Sequence, residues 1–417
     1  MKRETQQEIL RQFFALRAAH TTTMAPAVFH QPANVYTDSA RLTAETAALF
    51  RDQPLVVALS ADLPATGDCL AREVAGVPVL LIRGEDAEVR AFLNICRHRG
   101  GRVFSGRGRP GRALKCPYHS WAYDLNGELL GQPLARDAFE ELERCDFGLI
   151  PLPVAERFGL IFAAVGAGEP NEIDVAASLA GLGPELADYD FAGWQFLSER
   201  SGLFDANWKL IHDTFLESYH VFSLHRNTLA PDMLSTPFVG ENFGPHTRGV
   251  VMRKEVTKLL ELPEGEWDLR ANSSIVYILF PSVAINLPMS GHAELWDMYP
   301  EPDDPHRTRV TVRFYVPHAP ATDEERAFWE ANVRFTTKVV FEEDFGQQQD
   351  IHRSLRSGLM PEVVYGRNEP ALIHHHQQVA LALASPAAPL AGGGHAYRTD
   401  AAGPDAAGPL SRARSAS

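Results

Sequence analysis

The chain has 417 residues, 45% of them apolar, and a formal net charge of −14. That length suits two domains, each with its own core, and the acidic balance argues against nucleic acid or an anionic membrane as a partner. Four cysteines are too few for a disulfide framework, and neither a signal-peptide core nor a run of about eighteen apolar residues occurs, so a cytoplasmic protein is expected.

Residues 5 to 20 read as an amphipathic helix with Ile9, Leu10, Phe13, Phe14 and Leu16 on one side. It either packs at a subunit boundary or covers its own domain. Between Pro54 and Val165 short β runs separated by turn residues predict a small antiparallel β domain: 55–59, 77–83, 89–95, 121–125 before Asn126-Gly127, and 160–165. Two of its loops carry Cys96-x-His98 and Cys116-x2-His119, with the residues Arg99 to Lys115 between them. Arg97, Arg99, Arg102, Arg107, Arg109, Arg112 and Lys115 crowd these loops. They read as solvated loop charge, with a patch that greets an acidic electron donor as the rival reading. Cys69 and Cys145 remain, and nothing requires a disulfide between them.

A Gly-, Ala- and acid-rich connector from Gly166 to Ala192 leads to NWKLIHDTFLESYHVFSLH (Asn207 to His225). It contains Glu217-x2-His220-x4-His225. On a helix Glu217 and His220 would share a face, whereas His220 and His225 would diverge by about 140°. Both histidines reach one metal only if the helix loosens or ends between them. His212 is taken as structural. Further β runs follow at 273–288, 293–300 and 308–317, as sheet core or as walls of a substrate cavity. Thr322-x2-Glu325 is a capping box opening a long helical stretch that Gly346 interrupts and that carries Glu342, Glu343 and Asp344. His374, His375 and His376 sit in an ordinary amphipathic terminal helix and read as structural. From Ser385 onward the Ala, Gly, Pro and Ser content predicts disorder.

The Cys–His pairs carry the most specific chemistry. Two thiolates on one iron and two imidazoles on the other make a Rieske [2Fe–2S] centre, and neutral imidazoles in place of thiolates ease electron uptake. The alternative is a Cys2His2 zinc site, but the order Cys-x-His…Cys-x2-His is wrong for a finger. Two histidines plus one carboxylate with open positions is the donor set of non-haem Fe(II) oxygenases.

With CRHRG, CPYHSW, NWK…LESYH…LH, EED and GRNEPAL in view, the chain resembles the oxygenase α subunits of Rieske non-haem iron oxygenases, also called aromatic ring-hydroxylating oxygenases, from about Tyr36 to Leu383. The resemblance implies an α+β fold. A small antiparallel β Rieske domain (36–170) would follow an N-terminal helix and lead-in (1–35). A larger catalytic domain of antiparallel sheet covered by helices, of helix-grip type, would occupy 171–384, before a disordered tail (385–417). It implies cluster ligation by Cys96, His98, Cys116 and His119, and a mononuclear Fe(II) held by His220, His225 and Asp344. Spacing alone does not choose among Glu342, Glu343 and Asp344, of which a helix can aim only one inward; the family's Asp matches Asp344. The resemblance also implies a trimer in which the cluster of one subunit lies against the iron of the next, with Glu217 bridging His220 and the neighbour's His119. No G-x-G-x2-G follows a strand, so electrons from NAD(P)H are expected through a separate ferredoxin or flavin reductase. One chain carrying both motifs points to an α3 homotrimer.

Two departures bear on the substrate. The bridging position is often Asp in aromatic dioxygenases, whereas Glu217 resembles members acting on quaternary ammonium compounds, and Asp213-Thr214 stands where Glu-Asn is frequent. Hydroxylation of an aromatic compound is expected narrowly over oxidation of a quaternary or methylated amine. The reading from another class is a Rieske electron carrier with an inert second domain, distinguished by about two rather than three irons per chain.

Overall fold

The computed structural model describes residues 1–51, 53–166 and 173–384. The expected boundary at 170/171 and the tail from Ser385 lie outside the described residues.

The first domain is built from short antiparallel strands. Leu55–Leu59 is apolar throughout and buried at every position, as a strand covered on both faces must be. It joins Leu160–Ala163 and Val154–Arg157 in a three-stranded sheet. Val77–Arg83 lies between Val89–Leu93 and Cys69–Val74 in a five-stranded sheet. A third small sheet, Leu114–Lys115, Ala122–Tyr123 and Leu129–Gly131, turns at Asn126-Gly127 as predicted. There the Asp124 carboxylate accepts the N–H groups of Asn126 and Glu128 at 2.9 and 2.8 Å. Gly127 has φ +83°, and a Cβ there would fall 2.5 Å from the Phe92 ring, so glycine is needed for backbone and space alike.

The second domain is a seven-stranded antiparallel sheet in the order Gln195–Phe204, Asp304–Val316, Ala293–Glu301, Val283–Leu287, Ser273–Leu279, His246–Arg253, Met233–Phe243. The predicted run 273–288 is two strands that reverse at Phe280–Ser282. Three strands were not legible in the sequence: Gln195–Phe204, Met233–Phe243 and His246–Arg253. Their glycines break the alternation on which strand reading depends; Gly240 pairs with Gly249, and the Phe238 ring fills the space both leave.

The amphipathic helix spans Arg3–Ala18 and buries Ile9, Leu10, Phe13 and Leu16 in one cluster with Val239, Val250 and Met252 of the large sheet. It covers its own chain. Phe29–Pro32, expected as lead-in, pairs with Glu362–Tyr365 near the other end of the chain. The long C-terminal helical stretch is interrupted, but not by Gly346. A π-helical turn, Lys338–Asp344, separates the helices Asp323–Thr337 and Phe345–Leu355, and Gly346 lies inside the latter. At its start Thr322 Oγ1 accepts the Glu325 N–H at 3.1 Å, while the Glu325 carboxylate reaches back to the Ala321 N–H at 2.8 Å.

Ion pairs join the two domains. Arg72 spans Asp297 (2.6 Å) and Glu199 (2.7 Å), Arg313 also pairs with Asp297 at 2.9 Å, and Arg107 pairs with Asp62, which also accepts the Tyr315 hydroxyl. Lys209 and Glu45 form a wholly buried pair at 2.7 Å, to which the Trp208 indole N–H adds a bond at 2.9 Å. Among the described residues no helix is long and apolar enough to cross a membrane.

Candidate active site

The two cluster loops converge at the tip of the first domain. Cys96 and Cys116 are buried and their thiols lie close enough to interact. The His98 and His119 rings pack edge to face with their centroids 4.6 Å apart. Tight turns set this geometry: the Cys96 N–H donates to the Gly101 carbonyl at 2.7 Å, and the Cys116 N–H to the Trp121 carbonyl at 2.9 Å. His98 stacks on Trp121 at 5.0 Å with planes 3° apart, and the Tyr123 hydroxyl contacts the Cys96 sulfur at 3.3 Å. Burial, then His119 and Arg99, hold His98 below the ordinary imidazole range, as suits a neutral ligand. Its buried Nδ1 has no partner among the described residues. Two neighbouring thiols and two neighbouring imidazoles on the same pair of loops, with an orphaned ring nitrogen, fit a [2Fe–2S] centre of the Rieske kind.

The basic crowd around these loops is mostly occupied. Arg97 holds the Gly148 carbonyl, Arg102 pairs with Glu73, Arg107 with Asp62 and Arg109 with Asp68. Arg99, Arg112 and Lys115 remain exposed and make no ion pair among the described residues. Cys69 is buried, Cys145 is exposed, and both are free thiols.

The expected loosening of the His220–His225 segment takes a definite form. The α-helix ends at Asp213, a 3-10 turn spans Tyr219–Phe222, and His225 follows it. Glu217 closes that turn: its carboxylate accepts the His220 N–H at 3.1 Å and bonds the His220 Nδ1. The Nε2 of His220 and of His225 both point at Asp344 Oδ1, at 3.4 and 3.0 Å. One ligand atom from each of the three lies within 4.8 Å of the others. Burial alone would lower the His220 pKa, but Glu217 and Asp344 outweigh it and raise it. Asp344 and Glu343 do the same for His225. Such a site attracts a cation, and two imidazoles with one carboxylate fit iron.

One participant escaped the sequence reading. Glu343 accepts from His225 Nδ1 and from the Thr228 hydroxyl, both at 2.7 Å, so two adjacent carboxylates serve the same imidazole from opposite edges. They sit at the end of the π turn, a device found often at functional sites. Glu342 is exposed. Each imidazole whose Nε2 faces Asp344 thus has a carboxylate behind it, Glu217 or Glu343, that can fix its tautomer and ring orientation.

His212 and His375 stack at 4.3 Å, and neither has a polar partner among the described residues. Burial, then the charge of His376, pushes His212 down to about 3. His376 bonds Asp213 at 3.0 Å and His374 the Gly244 carbonyl at 2.8 Å. The three consecutive histidines therefore face three different neighbours.

A cavity of about 340 Å³ opens beside the triad, between the large sheet and the 323–344 helical stretch. Phe215, Phe238 and Phe335 contribute apolar wall, and Glu294 a buried carboxylate. Burial pushes the Glu294 pKa up, yet bonds from His292, Asn286 and Thr336 hold it below the ordinary range. Among the described residues no Lys or Arg pairs with it.

Comparison with known proteins agrees with this architecture. Residues 53–144 match the Rieske [2Fe-2S] domain, and residues 186–385 match the ring hydroxylating alpha subunit (catalytic domain). The carnitine monooxygenase oxygenase subunit of Escherichia coli K12 is 28% identical over 337 residues, covering 78% of this chain and 84% of the relative. The glycine betaine monooxygenase oxygenase subunit of Chromohalobacter salexigens is 32% identical over 198 residues, covering 48% and 43%. Naphthalene 1,2-dioxygenase from Rhodococcus sp., solved with indole bound, shares the fold with a TM-score of 0.70 at 21% identity, covering 92% of this chain and 99% of that one. The two domain models in tandem identify the chain as a member of the Rieske non-haem iron oxygenases, an oxidoreductase of the α-subunit type carrying a [2Fe–2S] cluster and a mononuclear iron.

Proposed function

We propose that the protein is the oxygenase component of a cytoplasmic monooxygenase acting on a quaternary ammonium compound. Cys96, His98, Cys116 and His119 would hold the cluster, and His220, His225 and Asp344 the iron. This replaces the narrow preference for an arene. The observation that carries it is the cavity wall: a buried anionic Glu294 without a Lys or Arg partner, next to Phe215, Phe238 and Phe335. A neutral arene gains nothing from that carboxylate, whereas a trimethylammonium group is attracted by it and by the aromatic faces. The named amine monooxygenases among the relatives support the same choice.

Oxygen activation is what ferrous iron in such a triad supplies, with single electrons from the cluster. The chain's own residues do the rest. Glu217 and Glu343 hold the Nδ1 protons of His220 and His225, leaving each Nε2 lone pair for the metal. The phenylalanines keep water from the substrate. Glu217 keeps 13% of its side chain exposed, the nearby chain residues Tyr219 and Phe222 are 55% and 58% exposed, and Tyr118 (62%) packs beside His119. Exposed aromatics around both metal sites suit a subunit interface. We assign these faces to a head-to-tail homotrimer in which Glu217 bridges His220 and the neighbour's His119. A separate ferredoxin or flavin reductase would deliver electrons from NAD(P)H, with the unpaired Arg99, Arg112 and Lys115 as its docking charges.

The test is coupled oxygen uptake by the reconstituted protein with a surrogate reductase, comparing carnitine and glycine betaine with naphthalene and biphenyl. Product formation from an ammonium substrate is expected. Stoichiometric arene hydroxylation with no turnover of either ammonium compound would overturn the reading.

A further inference from the structure

Building on the reading of the cavity as an ammonium site, we propose that Arg253 anchors an anionic group at the substrate's other end, so that the preferred substrate is a zwitterion bearing both a trimethylammonium and a carboxylate. Arg253 ends the strand His246–Arg253. Strand alternation puts it on the same face as Val251 and Gly249, and all three line the cavity beside the metal triad. Its Nε is buried without a partner. Among the described residues its guanidinium makes no hydrogen bond and no ion pair, whereas the buried Arg72, Arg248 and Arg313 are all paired with carboxylates.

Neither nearby carboxylate is within ion-pair distance of it among the described residues, although Glu255 is close enough to feel its charge. Asp232 lines the same wall without reaching ion-pair distance, and Glu255 is engaged by Lys258. A guanidinium offers its donors as a planar fork that fits a carboxylate bidentately. The wall beyond it is graded in charge. Ser274 pairs in register with Val251; its hydroxyl donates to Asn286 Oδ1 at 2.8 Å, and Asn286 Nδ2 donates to Glu294 at 2.8 Å. One cavity wall therefore runs from an unpaired cation through two neutral groups to a buried anion. A zwitterion satisfies both ends, whereas a simple ammonium ion leaves Arg253 unpaired and a neutral arene leaves both unanswered.

The experiment is calorimetric binding to the cluster- and iron-loaded protein, in wild type, Arg253→Met and Arg253→Lys. The first probes are γ-butyrobetaine and butyltrimethylammonium, which share cation and chain length and differ in the carboxylate. Wild type should prefer γ-butyrobetaine by about tenfold or more, the scale of a charge-assisted hydrogen bond. Arg253→Met should erase that preference while leaving butyltrimethylammonium binding unchanged, and Arg253→Lys should keep part of it. Equal affinities in wild type, or a Met variant that weakens both probes alike, would overturn the anchor. Benzoate and benzyl alcohol form a second pair. Arg253-dependent benzoate binding with neither ammonium probe bound would overturn the zwitterion and the ammonium reading beneath it, leaving only an anion site. No Arg253-dependent binding of any carboxylate would overturn the proposal outright.

Discussion

Replacing Glu343 by alanine tests the two-carboxylate arrangement behind the iron site. The change removes the acceptor of both His225 Nδ1 and the Thr228 hydroxyl, each at 2.7 Å. A hydrogen bond to a charged group contributes about 1.5–3 kcal/mol. Glu343 keeps 23% of its side chain exposed, so water replaces part of the lost acceptor, and the lower half of that range applies. About 1.5–2 kcal/mol corresponds to roughly 10–30-fold weaker iron binding, within the 10–100-fold typical of groups that orient metal ligands. The assay is iron affinity by chelator competition, with the reduced cluster's EPR signal as an internal check that the first domain is intact. Glu342→Ala, on the exposed side of the same turn, is the control and should change nothing. Iron affinity within twofold of wild type in Glu343→Ala, or an equal loss in Glu342→Ala, would refute the reasoning.

Glu217→Gln should retain cluster and iron and lose most coupled turnover, measured as product per electron consumed; full turnover at full iron occupancy would remove Glu217 from the electron path. Lys209→Met strands the buried Glu45 carboxylate and should cost about 3–5 kcal/mol, or roughly 10 °C in Tm. Adding Glu45→Gln should recover much of that loss, and strict additivity of the two changes would contradict a coupled pair. Burial holds His212 down to about 3 and His246 down to about 4, both below the unfolded value of about 6.5. Their folded pKa values are depressed, so the unfolded chain takes up protons first as the pH falls. The stability these groups provide is complete above about pH 6.5 and declines at up to about 1.4 kcal/mol per pH unit for each group. Thermal unfolding of the iron-loaded protein, in which His220 and His225 do not take protons, should show Tm falling from pH 6.5 to 5; a flat profile there would count against these assignments.

The metal chemistry was legible because ligand choice is a local property. Cys96-x-His98 and Cys116-x2-His119 lie on loops whose turns bring each pair together, and the thiolate–imidazole set then restricts the cluster. The Glu217–His220 contact was legible too, since residues three apart meet in either an α-helix or a 3-10 turn. Helical geometry said that only one of Glu342, Glu343 and Asp344 could face inward. That argument held one acceptor to a helix face and overlooked the imidazole's two edges, which the carboxylates from 343 and 344 approach separately.

Glu217 pointed to the ammonium alternative, but the cavity wall itself was beyond sequence reading for a related reason. Arg253, Ser274, Asn286 and Glu294 come from four strands, two of them in or beside glycine-containing stretches with no clean alternation, and no periodicity says that they share a wall. Residue types and short spacings by themselves pointed to the cluster, because a Cys–His ligand set needs only chemistry and local reach, whereas the iron and its carboxylate came from the family resemblance. The cavity's charge pattern and the carboxylate behind His225 were decided by the tertiary structure alone, because they depend on strand register and on how a π turn aims its side chains.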